Sequence, residues 1–261
     1  MSKKTARQLT ANIVFKNFIQ TLIALLFLLF VWGIAHILVG NELLVPNVGD
    51  CLKEIGRLLA DGSFWRAFFN TLGRVVFAFG ISFIFALILA LIAYMVPWFG
   101  GILSPIVSML RSLPTLAVLL ILLVWMGATK APIIVAFMSL FPMLYASMTA
   151  ALHQVDGELL EMSRVYRVPL KKQIGSLYLP STAPYVLREA GAAVSFSLKL
   201  VVSAEVICNT NKSLGGLMQT AKTFNLDMAT LFALVSLAFL LGLVLELLGV
   251  WAANFVERRV K

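Results

Sequence analysis

Long hydrophobic runs separated by short polar segments dominate the chain. Runs with few or no charged residues cover about 18–39, 68–96, 102–126, 133–152, 183–208 and 228–255. A helix rises about 1.5 Å per residue, so a run of roughly 20 residues spans the hydrocarbon core of a bilayer. The pattern therefore predicts an all-α integral membrane protein with about six transmembrane helices. A short amphipathic helix is expected at about 51–60, between the first two spans.

The third predicted span contains a proline about one third of the way along. Pro114 follows Arg111 by three positions. Proline removes a helix hydrogen bond, and membrane helices tolerate the resulting kink where a neighbour or a cavity satisfies the freed carbonyl. We therefore expect a kink at Pro114, followed by a tight loop at 129–132 before the fourth span.

Charged residues inside the predicted spans need a partner or a cavity, because a lone charge near the membrane centre costs at least about 2.5 kcal/mol. The fifth span carries the most charges, namely Arg188, Glu189, Lys199 and Glu205. Lys199 has two open interpretations: it lines a path and attracts an anionic solute, or it is a structural partner for Glu246 or Glu205. Arg74, near the outer end of the second span, is expected to snorkel to the interface.

The longest water-facing segment within the apolar chain is 156–180. Asp156 can cap a helix, and Glu158 places negative charge in the first turn, where the helix dipole favours it. An apolar face follows at helical spacing, comprising Leu159, Met162, Ser163 and Tyr166. Other residues lie largely off that face, namely Glu161, Arg164, Arg167 and Lys171. The segment thus predicts an amphipathic helix.

Pro169 ends this helix, because a proline disfavours the helical region for the residue before it. Proline also suits the first turn of a helix, so a second short helix is expected to run to about Tyr178. Segment 156–180 is therefore predicted to form two short helices joined by a sharp corner.

This segment resembles the cytoplasmic loop of permease subunits of bacterial ABC importers. That loop reads E-A-A, three residues, G, nine residues, I-x-L-P, and the spacing here is the same from Glu161 to Pro180. Met162 and Ser163 replace the two usual alanines, and Arg167 replaces the glycine. That glycine normally supplies a left-handed turn, which costs an L-residue roughly 1 kcal/mol or more. Pro169 is therefore the candidate for enforcing the corner.

The resemblance implies that the loop is the coupling helix, which docks in a cleft of a separate ATP-hydrolysing subunit. The implied coupling residues are Glu158, Leu159, Glu161, Met162, Ser163, Arg164, Tyr166, Arg167 and Pro169. An ordinary amphipathic helix lying on the membrane surface remains the alternative.

Further segments are similar to the nitrate, sulfonate and taurine branch of these importers. Residues 70–80 resemble the start of the permease core, and Arg111 and Pro114 fit an arginine–proline pattern followed by an apolar run ending at Gly127. Residues 202–205 resemble a V-x-A-E motif, and 213–217 a glycine-containing loop. The resemblance covers roughly 70–255. It implies tentative path residues, namely Arg111, Pro114, Lys199 and Glu205.

Membership of this branch would imply a permease that forms a translocation path as a homodimer. It would take solute from an extracytoplasmic binding protein, and the expected solute is a small anion such as a sulfonate, taurine or nitrate. An uncharged heterocyclic vitamin precursor is an alternative solute. A self-sufficient secondary transporter or an intramembrane enzyme is a further alternative, although neither paired mid-membrane charges in repeated halves nor an internal repeat is evident.

Composition agrees with a membrane protein: 61% of the 261 residues are hydrophobic and 13% are charged, with a mean hydropathy of +0.95. The net charge of +9 reflects basic residues at membrane flanks, so lipid rather than nucleic acid is the expected partner. The sequence has no G-x-x-x-x-G-K-[ST] phosphate loop. We therefore expect a separate chain to use ATP and magnesium, and this chain to bind no cofactor or metal and to catalyse no reaction. Cys51 and Cys208 are read as isolated thiols.

Orientation follows from the basic residues in the connecting segments. With the N-terminus inside, inner segments hold 11 lysines and arginines and outer segments hold 6. Positively charged loops tend to stay in the cytoplasm, so both termini and the loop 156–180 are expected there. The predicted organisation is a cytoplasmic tail at 1–17, a first span and outer loop at 18–66, a five-helix permease core at 67–256 and a tail at 257–261. The expected location is the bacterial inner membrane.

Overall fold

The computed structural model describes residues 23–260, without the side chains of 164, 170, 171 and 257–260. Nearly all of this part is helical. The first helix, α1, is described over Ile23–Val39. The others are α2 (Val48–Ala60), α3 (Gly62–Met95), α4 (Pro97–Ser112), α5 (Thr115–His153), α6 (Gly157–Val165), α7 (Leu170–Gln173), α8 (Leu179–Cys208), α9 (Leu214–Thr220) and α10 (Met228–Val260), with π-helical turns at Ile174–Tyr178 and Ala221–Asn225. The predicted tail 1–17 lies outside the described residues.

Four helical stretches among the described residues are long and apolar enough to cross a membrane. These are Gly62–Met95, Thr115–His153, Ile174–Cys208 and Met228–Val256, and α1 is a shorter apolar helix. The all-α membrane fold predicted from the hydrophobic pattern is therefore confirmed.

The predicted kink at Pro114 is a complete break. Helix α4 ends at Ser112, and Pro114 has an extended backbone with ψ of 107° before α5 begins at Thr115. A proline cannot continue the hydrogen-bond ladder of the preceding helix, and here the chain leaves the helix instead of bending it. Two helices, α4 and the first part of α5, therefore share the third predicted span.

The turn after the third span lies at Gly127 and not at 129–132, where the sequence predicted it. Gly127 has φ of 76° and ψ of 170° inside α5, whereas residues 129–132 are helical. Arg111 Nη2 donates to the Pro142 carbonyl at 3.0 Å, although the two residues are 31 positions apart. A straight helix of that length would separate them by about 46 Å, so the chain doubles back at Gly127. Helix α5 thus contributes to two passes.

The second short helix predicted in 156–180 is not a separate element. Helix α7 continues through the π-helical turn Ile174–Tyr178 directly into α8, and Leu179 N donates to Ile174 O. Pro180 is the second residue of α8 and comes directly after this π-helical turn. The corner therefore leads straight into the fifth span, which begins earlier than predicted.

Helix α8 lies at the centre of the bundle, between α3, α5 and α10. Helix α3 turns a stripe of small buried side chains inward at every fourth position, namely Ala78, Ser82, Ala86 and Ala90. Small residues let membrane helices approach closely. The closest approach joins α8 to α10, where a Cβ on Gly191 would lie 2.4 Å from the Cα of Gly249.

At the end of the bundle opposite α6, α2 is tied to the start of α10. Thr230 Oγ1 donates to Glu54 Oε2 at 3.1 Å, and Arg57 forms an ion pair with the same carboxylate at 2.7 Å. These contacts hold the amphipathic α2 against the spans without burying its polar face.

Candidate functional site

Helix α6 begins where the sequence predicted. Asp156 Oδ1 accepts a hydrogen bond from the Glu158 N–H at 2.9 Å, which caps the helix. Ser163 is only 2% exposed, and its hydroxyl donates to the Leu160 carbonyl at 2.7 Å. Ser163 therefore faces the protein with its polar group satisfied.

Next to Ser163, α6 and the residue that follows it present an apolar ridge to the outside. Its members, Leu159, Met162, Val165 and Tyr166, are 39%, 51%, 78% and 76% exposed, respectively. Val165 was missed by the sequence pattern, which grouped the buried Ser163 with the ridge. Glu158 and Glu161 are exposed beside it. Large apolar side chains left exposed together next to charged ones are typical of an interaction surface.

Arg167 makes the corner that follows α6. Its φ of 46° is in the left-handed region, and Val168 N donates to the Ser163 carbonyl at 2.9 Å. This hydrogen bond is the one that closes a helix in a Schellman motif, in which the residue before the N–H donor is left-handed. Pro169 begins α7 instead, because its carbonyl accepts from Lys172 N at 2.9 Å. The arginine thus adopts the conformation usual for glycine, and the expectation that Pro169 enforces the corner is corrected.

The loop is joined to three membrane helices at one point. The Tyr94 hydroxyl at the end of α3 lies 3.3 Å from the Tyr178 hydroxyl at the start of α8. The Tyr94 ring also contacts His153, the last residue of α5, with ring centroids 5.4 Å apart. The ends of α3, α5 and the segment that leads into α8 therefore meet at this point.

A buried ion pair lies at the other end of these helices. Arg74 Nη1 lies 2.7 Å from Glu205 Oε1, and Thr71 Oγ1 donates to Glu205 Oε2 at 2.8 Å. Arg74 therefore does not snorkel, as the sequence suggested. Glu205 has no exposed surface, so a solute cannot touch it in this structure. Glu205 is held by Arg74 and Thr71 and lines neither of the two cavities described below.

The glycine-containing loop completes this cluster. Gly215 N donates to Glu205 Oε2 at 3.2 Å, and Leu214 N donates to Thr71 Oγ1 at 2.9 Å. A Cβ on Gly215 would lie 2.4 Å from the Glu205 Cβ. The Glu205 carboxylate thus pairs with Arg74, and its close contact with the loop requires a glycine at position 215. The segments 202–205 and 213–217 are therefore in direct contact at this carboxylate.

Lys199 faces a groove between α8 and α10 with a volume of about 360 Å³. Glu246 lies on the same groove, and both side chains are exposed. In the described part of the chain, neither takes part in an ion pair within 4.0 Å. The structure therefore does not form the pairing of Lys199 with Glu246 or Glu205 that was one of the two interpretations.

Arg111 lies on a second cavity of about 540 Å³, between α4 and the second part of α5. Its exposed side chain is held by the Pro142 carbonyl, while Pro114 lies exposed at the break between α4 and α5. Tyr94 and His153 line the same cavity, which places it beside the loop junction. Within residues 23–260, no cluster of histidine, cysteine and carboxylate side chains could hold a metal ion.

Comparison with protein families matches residues 82–261 to the binding-protein-dependent transport system inner membrane component. The taurine transport system permease protein TauC of Escherichia coli (strain K12) is 23% identical over 226 residues, covering 83% of this chain and 82% of that protein. The nitrate import permease protein NrtB of Synechococcus elongatus is 26% identical over 161 residues, covering 60% and 57%.

Two solved structures share the fold. An amino acid ABC transporter with histidines matches with a TM-score of 0.60 at 18% identity, covering 72% of this chain and 90% of that one. The MetNI methionine ABC transporter in an inward-facing conformation matches with a TM-score of 0.58 at 18% identity, covering 78% and 96%.

Proposed function

Because the chain belongs to the family of binding-protein-dependent transport system inner membrane components, we propose that it works as the translocating permease of an ATP-driven importer through the loop at α6. Family membership makes it a multi-pass inner-membrane transport subunit of an ABC importer and not an enzyme. The proposal adds a mode of coupling, an oligomeric state and a solute class.

The exposed apolar ridge on α6 supports coupling to a separate ATPase more than any other observation. A free helix on a soluble surface would bury Met162 and Tyr166, yet they are 51% and 76% exposed. Burial of each large apolar side chain makes roughly 1.5 to 3 kcal/mol available to a partner. The left-handed Arg167 fixes the angle between the ridge and the spans. ATP and magnesium then act on the ATPase, and the ridge transmits its movement.

Exposed charges in the spans support a homodimer. Lys199 and Glu246 are charged groups on candidate membrane spans, and a charge facing lipid near the membrane centre costs at least about 2.5 kcal/mol. A second copy facing this side would enclose a watery path instead. Arg111 and Pro114 remain proposed path residues on the other cavity. Native mass measurement of the complex should give two copies of this chain for two ATPase chains; one copy would refute the homodimer.

The solute proposed is a small organic or inorganic compound that carries an anionic group, such as a sulfonate, taurine or nitrate. The relatives named for taurine and nitrate transport support this class. An exposed lysine on a membrane span also favours a negatively charged group. An extracytoplasmic binding protein would deliver the solute at the end of the bundle that carries α2 and α9.

Charge and polarity changes on the ridge test the coupling. Glu161→Lys and Tyr166→Asp should leave the chain in the membrane, while association with the ATPase and ATP-driven uptake into vesicles are lost. The matched control is Phe224→Asp, since Phe224 is 71% exposed at the opposite end and should not affect ATPase association. If α6 merely rested on lipid headgroups, Glu161→Lys would be tolerated. Full association and uptake in both ridge variants would therefore refute the coupling role.

A further inference from the structure

The groove that holds Lys199 is formed by two antiparallel helices. Gly191 on α8 meets Gly249 on α10, and a Cβ on Gly242 would lie 3.5 Å from the Ser195 Oγ. Residue numbers thus rise along α8 while they fall along α10. Lys199 lies one turn beyond Ser195 in one direction, and Glu246 lies one turn beyond Gly242 in the other. At about 1.5 Å per residue, the two charged residues attach to the backbone about 12 Å apart along the groove, with Ser195 between them.

Ser195 forms the polar floor of the groove. It is 2% exposed, and its Oγ has no hydrogen-bond partner among the residues described. Burying a hydroxyl without a hydrogen-bond partner is unfavourable. The absence of a side chain at Gly242 leaves space next to this hydroxyl. A hydroxyl group without a hydrogen-bond partner thus lies at the bottom of a groove that is also lined by a cation, Lys199, and an anion, Glu246.

The other walls are mainly apolar, with Val202, Met218 and Phe239 among the lining residues. A volume of about 360 Å³ is at the lower end of the range typical of small-molecule sites. A few polar groups converging in an apolar concavity fix the orientation of a ligand. The two charges have opposite sign and lie on either side of Ser195 along the groove, so a ligand that contacts both must itself carry both signs.

We propose that this groove binds a small zwitterion during transport, with its acidic group at Lys199, its ammonium group at Glu246 and a hydrogen bond to Ser195. This inference rests on the proposed permease function and narrows the solute class, since a simple anion would leave the Glu246 carboxylate unpaired. An aminosulfonate or an amino acid with two or three bonds between its charged groups has the required length. The acidic group lies toward the α9 end.

The concave shape favours a solute over a second copy as the occupant. A neighbouring helix could cover the rim of the groove, but its backbone could not reach the floor at Ser195. A second copy seated in the groove would instead pair Lys199 of one protomer with Glu246 of its partner. The charge variants would then change the number of copies in the complex. A copy-number measurement therefore distinguishes a second copy from a solute as the occupant of the groove.

Equilibrium binding to the purified permease–ATPase complex tests the proposal. Radiolabelled taurine serves as the zwitterion, with ethanesulfonate lacking the ammonium group and ethylamine lacking the acid as competitors. Wild-type complex should bind taurine at least about tenfold more tightly than either competitor, because each competitor leaves one of the two charged side chains of the groove without a partner. Glu246→Gln should reduce taurine affinity to that of ethanesulfonate without changing ethanesulfonate binding. Lys199→Met should weaken both acids and leave ethylamine unchanged.

Two matched controls remove charges outside the groove. Lys130→Met and Glu42→Gln change exposed residues and should bind all three probes as the wild type does. The proposal is overturned if wild-type complex binds taurine no better than ethanesulfonate, if the groove variants behave like the controls, or if they change the copy number. Failure of the permease function would show differently, as a complex that does not assemble with an ATPase at all.

Discussion

Arg74 and Glu205 form a buried ion pair across α3 and α8, with Nη1 and Oε1 2.7 Å apart and the arginine and glutamate side chains 13% and 0% exposed. The two residues are 131 positions apart in the sequence, so the ion pair joins distant parts of the chain. Glu205 also accepts from Thr71 and Gly215, so its oxygens are fully used. Removing one partner would leave a buried charge uncompensated, which is far more costly than the pair itself is stabilising.

Arg74→Leu should therefore lower the unfolding free energy of the detergent-solubilised chain by roughly 3 to 5 kcal/mol. The double variant with Glu205→Gln should recover part of that loss, since no unpaired charge remains. Thermal unfolding followed by tryptophan fluorescence checks both. Lys53→Met, which breaks an ion pair whose lysine is 80% exposed, is the control and should have no measurable effect. An equal loss in Lys53→Met would contradict the buried-pair account.

The crossing of α8 and α10 at Gly191 predicts a steric effect. A Cβ there would lie 2.4 Å from the Gly249 Cα, so Gly191→Ala must push the helices apart. The expected loss is about 1 to 3 kcal/mol of unfolding free energy. Gly80→Ala adds the same methyl group where no atom lies within 4 Å. If both variants unfold at the same temperature, the helices are not in contact at Gly191.

The left-handed Arg167 predicts that glycine is the better residue at the corner. Arg167→Gly should stabilise the loop by roughly 1 kcal/mol, because glycine adopts positive φ without strain. Arg167→Val should open the corner. Hydrogen exchange of the Val168 amide, which is bonded to the Ser163 carbonyl, reports this directly: slower in Gly and faster in Val. Slower exchange in the valine variant would refute a left-handed corner.

Cys51 on α2 should be an unreactive thiol at neutral pH. Burial, together with repulsion of the thiolate by Asp50 and Asp227, raises the pKa of Cys51 from 9.0 to about 11. At pH 8, only about 0.1% of the thiol would be ionised, and maleimide labelling should rise about tenfold per pH unit up to the pKa. Labelling in a Cys208→Ser background, compared with an exposed Glu42→Cys reference, checks this. Equal rates at pH 8 would contradict the burial of Cys51.

The membrane-spanning segments could be predicted because hydropathy alone determines which segments insert into the bilayer. The turn at Gly127 was placed a few residues late, since Thr129 and Lys130 look like loop residues but remain helical at the membrane edge. A glycine that ends an apolar run was the available signal. Pro114 was predicted to bend a continuous helix. A proline alone does not reveal whether the helix continues after the bend or ends and a new helix begins.

The contacts of the charged residues could not be predicted, because they join distant parts of the chain. Nothing local in the sequence pairs Arg74 with Glu205 or leaves Lys199 unpaired. The loop was predicted through its spacing, yet spacing does not determine which face of α6 is buried. Ser163 was therefore grouped with the exposed residues and Val165 was left out, although Ser163 satisfies its hydroxyl within the helix and can be buried.

Site-specific photo-crosslinking from position 166 tests the coupling account most directly. A photoreactive residue in place of Tyr166, in cells that express the whole transporter, should give an adduct with the ATPase chain, and ATP should change its yield as the coupling loop moves. The same residue in place of Phe224, which is similarly exposed at the opposite end, should give no such adduct. Lipid adducts alone at position 166, or ATPase adducts of equal yield at both positions, would contradict the account.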